Sequence, residues 1–179
     1  PAVQVAARDA FGNVVPSFTG NVTVAIGDNP GTGTLSGTTT VAAAAGAATF
    51  SNLTIDRSGT GYTLTASAAG LADATSTGFT ISGGAASQLV FTVEPSDAAA
   101  GAAITPAIEV TALDALGNTA TGFTGAVSLA IDANPPGNGA LDGTTSVAAV
   151  GGVASFAGLN IDEAGSGYTL VASAAGLPA

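Results

Sequence analysis

Residues 53–71 read LTIDRSGTGYTLTASAAGL, and residues 159–177 read LNIDEAGSGYTLVASAAGL. In the first stretch Tyr62, Leu64 and Ala66 alternate with Thr63, Thr65 and Ser67; in the second, Tyr168, Leu170 and Ala172 form the same row. That period of two is the signature of a strand with one buried face. A stretch that occurs twice makes the chain a repeat, in which each unit is one folding module. Working outward, Asp9–Asn13 (DAFGN) returns as Asp114–Asn118 (DALGN), 105 positions on. Phe18-Thr19-Gly20 returns as Phe123-Thr124-Gly125 at the same spacing, whereas Leu53 returns as Leu159, 106 positions on. The extra residue lies in a Pro/Gly loop, DNPGTG from Asp28 in the first copy and DANPPGNG from Asp132 in the second. An insertion there is cheap and marks the segment as surface. A unit of 105 or 106 residues has the size of one β-sandwich domain.

Composition removes several classes of function. The 179 residues include no His, Cys, Met or Trp, and the two cations, Arg8 and Arg57, face twelve carboxylates for a net charge of −10. Nucleic-acid backbones and anionic membranes call for basic patches, so neither is an expected partner. Without His or Cys, zinc, copper, haem and iron–sulfur centres lack their usual ligands, and no cofactor is expected. The charged fraction is only 8% against roughly a quarter in ordinary domains, so Thr, Ser, Asn and Gly must cover much of the surface. Apolar residues are plentiful and periodic, unlike a disordered chain. No apolar run is long enough to insert into a bilayer as a helix, and no signal peptide is present in this segment.

Strands follow along both copies. Val3, Val5 and Ala7 alternate with polar or small residues, as do Ile108, Val110 and Ala112; Val22, Val24 and Ile26 match Val127, Leu129 and Ile131. Between strands, the DAFGN and DALGN turns combine an Asp that can bond the turn backbone with a Gly that can take positive φ. The run VAAAAGAA at 41–48 invites a helix on alanine propensity. The second copy reads VAAVGGVA, whose paired glycines favour a strand–turn–strand hairpin. Phe50 and Phe156 then face the core. The phase break before Leu53 predicts a bulge near Ser51-Asn52 and Ala157-Gly158. Phe79 and Ile81 close the first module, and Leu89, Phe91 and Val93 open the second before Glu94-Pro95 interrupts. The expected fold is all-β: two tandem immunoglobulin-like β-sandwich domains with Greek-key connections, about 105 residues per repeat. Residues 1–82 form the first, lacking its first strand; 83–87 form a linker; 88–179 form the second, lacking its last strand.

The run V-x-V-x-A-x-D-A-F-G-N, followed by V-T-V, G-T-L-S-G, G-A-A-T-F and G-Y-T-L-T-A, resembles bacterial Ig-like repeats of the invasin/intimin type. The resemblance covers nearly the whole chain in both copies. It implies tandem Ig-like modules of large surface or secreted proteins, used mostly as spacers. Asp56…Tyr62 and Asp162…Tyr168 look like the tyrosine corner of Ig sandwiches.

Residues that could carry chemistry are few. Asp9 and Asp114 could ligate calcium, but an Asp beside a turn Gly is ordinarily a turn former. Asp28 and Asp132 are further calcium candidates, thinly supported because a site needs several converging oxygens. The linker itself carries no acid, which argues against calcium-stiffened joints. Tyr62 and Tyr168 could stack on a ligand, although their period of two with Leu and Ala places them in the core. Hydroxyls abound, yet with no His or Lys a nucleophile lacks its usual base, so no enzyme is expected. Absent lysine also excludes Lys–Asn isopeptide links. The sequons at Asn21 and Asn52 are not repeated in the second copy.

The expected function is a structural repeat module, a spacer or scaffold in a long extracellular or cell-surface stalk or filament, with neighbouring repeats of the same protein as partners. Two alternatives are an adhesin-type module whose loops recognise a glycan or protein, and an accessory domain of a secreted enzyme. Pro1 aligns with Pro106 and Ala179 with Asp73. The chain therefore reads as two periods less one strand–linker–strand connection. This predicts either a window from a longer array or a homo-oligomeric fibre closed by strand complementation.

Overall fold

The computed structural model describes residues 2–135 and 137–178. It is all-β; among the described residues there is no helix, and every ladder is antiparallel. The chain divides into two compact units, Pro1–Ile81 and Ser82–Ala179.

The first unit contains β1 (Val3–Ala6), β2 (Asn21–Ile26), β3 (Leu35–Ser36), β4 (Thr40–Ala42), β5 (Ala47–Phe50), β6 (Thr54–Ile55), β7 (Gly59–Tyr62), β8 (Leu64–Ala68), β9 (Ala74–Thr75) and β10 (Phe79–Ile81). Its main sheet runs β4-β2-β8-β9, and shorter ladders join β1 to β5, β10 to β7 and β3 to β6. Alternation fixes the faces: Val22 and Val24 of β2 are buried while Asn21 and Thr23 are exposed. Their buried side meets Ala48 and Phe50 of β5 and Val3 and Val5 of β1. Two sheets thus share one apolar core, the layering of a sandwich.

The second unit contains β11 (Gln88–Val93), β12 (Ile108–Leu113), β13 (Ala126–Ile131), β14 (Leu141–Asp142), β15 (Ser146–Ala148), β16 (Val153–Phe156), β17 (Asn160–Ile161) and β18 (Leu170–Ala174). One sheet runs β11-β12-β16, the other β15-β13-β18, and β14 pairs β17. Ile108, Val110, Val127, Leu129, Ala154 and Phe156 form the core, flanked by Leu89 and Phe91 of β11.

Comparing equivalent strands shows what each unit gains. In the second unit β11 covers the outer edge of β12, and Ile108 and Val110 are wholly buried. In the first, β1 pairs only β5, and Val3 and Val5 are half-buried. The reverse holds at the other edge. β9 lies on β8 and β10 on β7, so Tyr62, Leu64 and Ala66 are buried. β18 pairs only β13, and Tyr168, Leu170 and Ala172 are half-buried. The inward row expected over 168–172 is therefore only partly inside; among the described residues β13 is the strand that pairs with β18.

Two local expectations also change. The turns at 44–47 and 150–153 form as expected, with Ala45 and Gly46 at φ of 49° and 81° and Gly151 and Gly152 at 58° and 84°, a primed two-residue turn. Beyond one bridge, however, β4 joins β2 and β5 joins β1, so the turn passes the chain between sheets instead of closing a hairpin. The break after Phe50 is not a bulge within one ladder. β5 ends there and β6 takes a new partner, β3, with Asn52 accepting from Thr38 N at 3.0 Å to hold the step.

Phe50 and Phe156 are each about 1% exposed. Phe50→Ala or Phe156→Ala should cost about 3–5 kcal/mol each, measured by denaturant unfolding. Tyr62→Ala should cost more than Tyr168→Ala, since only Tyr62 is fully enclosed; equal losses would show that β10 contributes nothing to the first core.

Candidate functional site

The recurring polar residues occupy two places in each unit. One is the DxxGN turn. Asp9 Oδ1 accepts from the Phe11 and Asn13 amides at 3.0 and 2.8 Å, and Asn13 Nδ2 donates to Oδ2 at 3.2 Å. Asn13's amide and side chain lead in holding the Asp9 carboxyl below its ordinary value. Asp114 repeats the arrangement with Leu116 and Asn118. It has a further donor, the amide of Gly84, 2.8 Å from Oδ2. That contact buries Asp114 at 5% exposure and, as the largest cause, takes its pKa from 3.8 to about 2.

The stretch read as a linker is therefore fastened to the second unit. Besides the Gly84 bond, Ser87 N donates to Leu113 O at 2.7 Å. A Cβ on Gly83 would lie 2.1 Å from Thr119 O, so only glycine permits this approach.

The second place is the Pro/Gly loop. Asn29 closes its base, donating to Gly33 O at 2.8 Å and accepting from Gly33 N at 2.7 Å. Asn134 donates to Gly139 O at 2.8 Å across the longer loop. The donating half of the clamp spans both lengths, with the inserted residue inside it, while Asn134 Oδ1 is buried with no partner among the described residues. The loop lies over the tyrosine hydroxyl: a Cβ on Gly31 would come within 2.3 Å of Tyr62 Oη, and one on Gly139 within 2.4 Å of Tyr168 Oη. Tyr62 Oη donates to Arg57 O at 3.0 Å, and Tyr168 Oη to Glu163 O at 3.1 Å. The acceptor is a carbonyl five residues upstream, not the Asp56 or Asp162 carboxylate. Those aspartates instead cap the loop's far end, accepting from Thr34 N at 2.6 Å and Ala140 N at 2.7 Å. Burial, then the charges of Glu163 and Asp162, raise the Tyr168 hydroxyl pKa.

Asp28 and Asp132 sit one position out of register, yet both reach the same hydroxyl. Thr63 Oγ1 donates to Asp28 Oδ2 at 3.1 Å, and Thr169 Oγ1 to Asp132 Oδ2 at 3.2 Å. The four calcium candidates Asp9, Asp114, Asp28 and Asp132 are thus all acceptors of internal hydrogen bonds. Among the described residues no three acidic side chains gather as a metal-binding group. One feature escaped the sequence reading. Phe11 and Leu116, at the same position of the two DxxGN turns, are 91% and 59% exposed; their place at the middle of a tight turn was the available signal.

No protein-family model matches the chain, and no curated protein matches it. Among solved structures, the crystal structure of Parabacteroides merdae β-glucuronidase is similar at 11% identity and a TM-score of 0.41, over 89% of this chain and 20% of that one. The apo structure of Bacteroides uniformis β-glucuronidase 3 is similar at 16% identity and a TM-score of 0.40, with the same coverages. This chain spans about a fifth of either enzyme.

Two outcomes are expected from this geometry. The Asp114 carboxylate is more acidic folded than unfolded, so its stabilisation is present above the ordinary carboxylate pKa and lost as pH falls toward about 2. Melting of the second unit should fall between about pH 4 and pH 2, and Asp114→Asn should flatten that fall; an unchanged profile would show that the Gly84 contact is not formed. EDTA should leave the melting temperature unchanged. A drop reversed by added Ca2+ would mean the carboxylates ligate metal.

Proposed function

We propose that this chain is a structural repeat segment of the bacterial Ig-like, invasin/intimin type. In this reading it comprises two Greek-key sandwich modules acting as spacer and scaffold in a long extracellular or cell-surface protein. Its partners are neighbouring repeats of the same protein, and it catalyses no reaction.

The observation that carries this reading is the shared employment of equivalent residues. Asp9 and Asp114 cap a turn, Asn29 and Asn134 clamp a loop, and Tyr62 and Tyr168 anchor a corner. The recurring side chains that could have carried chemistry hold turns, loop ends and a strand hydroxyl, in largely the same way in both units. A spacer needs each unit to fold alike, whereas a recognition site needs one unit to differ.

The test uses the intact protein that carries this segment. Thr32 and Asn138 are exposed at the tips of the two Pro/Gly loops. Thr32→Asp with Asn138→Asp should leave adhesion to cells and glycans unchanged, while deleting one 105-residue unit should shorten the reach of the protein. Loss of adhesion in the tip variant would replace the spacer with an adhesin.

A further inference from the structure

The two Pro/Gly loops differ in what holds one backbone amide. In the first unit the Gly33 amide donates to Asn29 Oδ1 at 2.7 Å. In the second, Asn134 keeps the bond to Gly139 O, but its Oδ1 is buried with no partner among the described residues. The Gly139 amide makes no hydrogen bond among the described residues. The residue before it, Asn138, is exposed, and its side-chain amide is likewise unbonded among the described residues. Thr32 stands at the corresponding place in the first loop.

An asparagine side chain can be attacked by the backbone nitrogen of the residue that follows it. That next residue governs the rate. Glycine has no Cβ to obstruct the approach and reaches the required backbone angles freely. A larger side chain hinders it, and proline has no N–H to lose. Of the chain's eight asparagines, seven precede Val, Leu, Ile, Thr or Pro, and Asn138 alone precedes glycine. Sequence, exposure and a free amide thus coincide at one position.

We propose that Asn138-Gly139 is a self-modifying site, at which the folded second unit deamidates spontaneously. The Gly139 nitrogen gives its proton to solvent and attacks Asn138 Cγ. A C–N bond forms, Nδ2 takes up a proton and leaves as ammonia, and the two residues share a five-membered succinimide. Water then opens the ring at either carbonyl. The product is aspartate or, where the main chain now runs through the side-chain carbon, isoaspartate. Either product adds one negative charge to the net −10. Isoaspartate also adds one backbone atom between Asn134 and Gly139, a span in which this loop already carries an inserted residue. The clamp and the core beneath it therefore survive the change.

The whole chain is to be held in mildly alkaline buffer, digested with pepsin and followed by mass spectrometry, with isoaspartyl methyltransferase labelling to identify the product. A gain of about one dalton should build up at residues 137–139, labelled as isoaspartate, and Asn138→Gln should abolish it. The discriminating variant is Thr32→Asn. It places the same Asn-Gly pair in the first loop, at a φ of 53° that asparagine tolerates. Because Asn29 holds the Gly33 amide, that pair should react at least tenfold more slowly than Asn138 in the folded chain, and the two rates should converge in urea. Equal rates in the folded chain would overturn the proposal, by showing that Gly139 is no freer than Gly33. So would a folded Asn138 that reacts at least tenfold more slowly than in urea, or a mass gain located at other asparagines. None of these rates bears on adhesion by the loop-tip variant, so the site and the spacer reading fail separately.

Discussion

A strand leaves half of its backbone donors and acceptors unpaired until something lies beside it, and this constraint governs the differences between the two units. Equivalent residues differ in exposure according to which edge is covered. Ile108 and Val110 are sealed because β11 lies on β12, while Val3 and Val5 are not. Tyr62 is sealed because β10 lies on β7, while Tyr168 is not. The local sequences share their apolar alternation in each comparison. Burial is therefore decided by strand coverage more than by side-chain identity.

The tyrosine joins this edge to the loops. Its ring belongs to the core and its hydroxyl leaves the core to meet a carbonyl five residues upstream. The Pro/Gly loop then closes over the hydroxyl at distances only glycine allows. A buried hydroxyl without a partner would be costly, so the corner carbonyl and the loop glycines are coupled through one atom. The same coupling explains how the loop tolerates an insertion. The extra residue sits between Asn134 and Gly139, inside the clamp, and leaves the glycine over the hydroxyl in place.

Much of this was legible beforehand, for identifiable reasons. Strand identity followed from alternation, as at Val22 and Val24, and turn identity from residues with restricted backbone needs, as at Gly46 and Gly152. What escaped the sequence was partnership. Nothing in VAAAAGAA tells that its two arms enter different sheets, and the phase break at Ser51-Asn52 reads equally as a bulge or as a change of partner. Asp9 and Asp114 likewise open the same D-A-x-G-N turn. Only the docking of Gly84, thirty residues away, makes one buried and strongly acidic. Local pattern encodes which element forms; long-range pairing decides which edge it covers.

The low charge of the chain has its own structural answer. Hydroxyls face one another across strands: Thr23 and Thr40 at 2.9 Å, Thr92 and Thr111 at 2.9 Å, Ser128 and Ser146 at 3.0 Å. Such pairs stabilise a sheet face without the desolvation and screening that attend ion pairs. They are also indifferent to ionic strength, because no net charge takes part. With two cations against twelve carboxylates, opposite-charge ladders were not open to this sequence. The carboxylates were left for another task, and most of those that recur accept from backbone amides at turns and loop ends. Hydroxyls cover the faces and carboxylates fix the connections, and the resulting net charge of −10 works against association of like molecules.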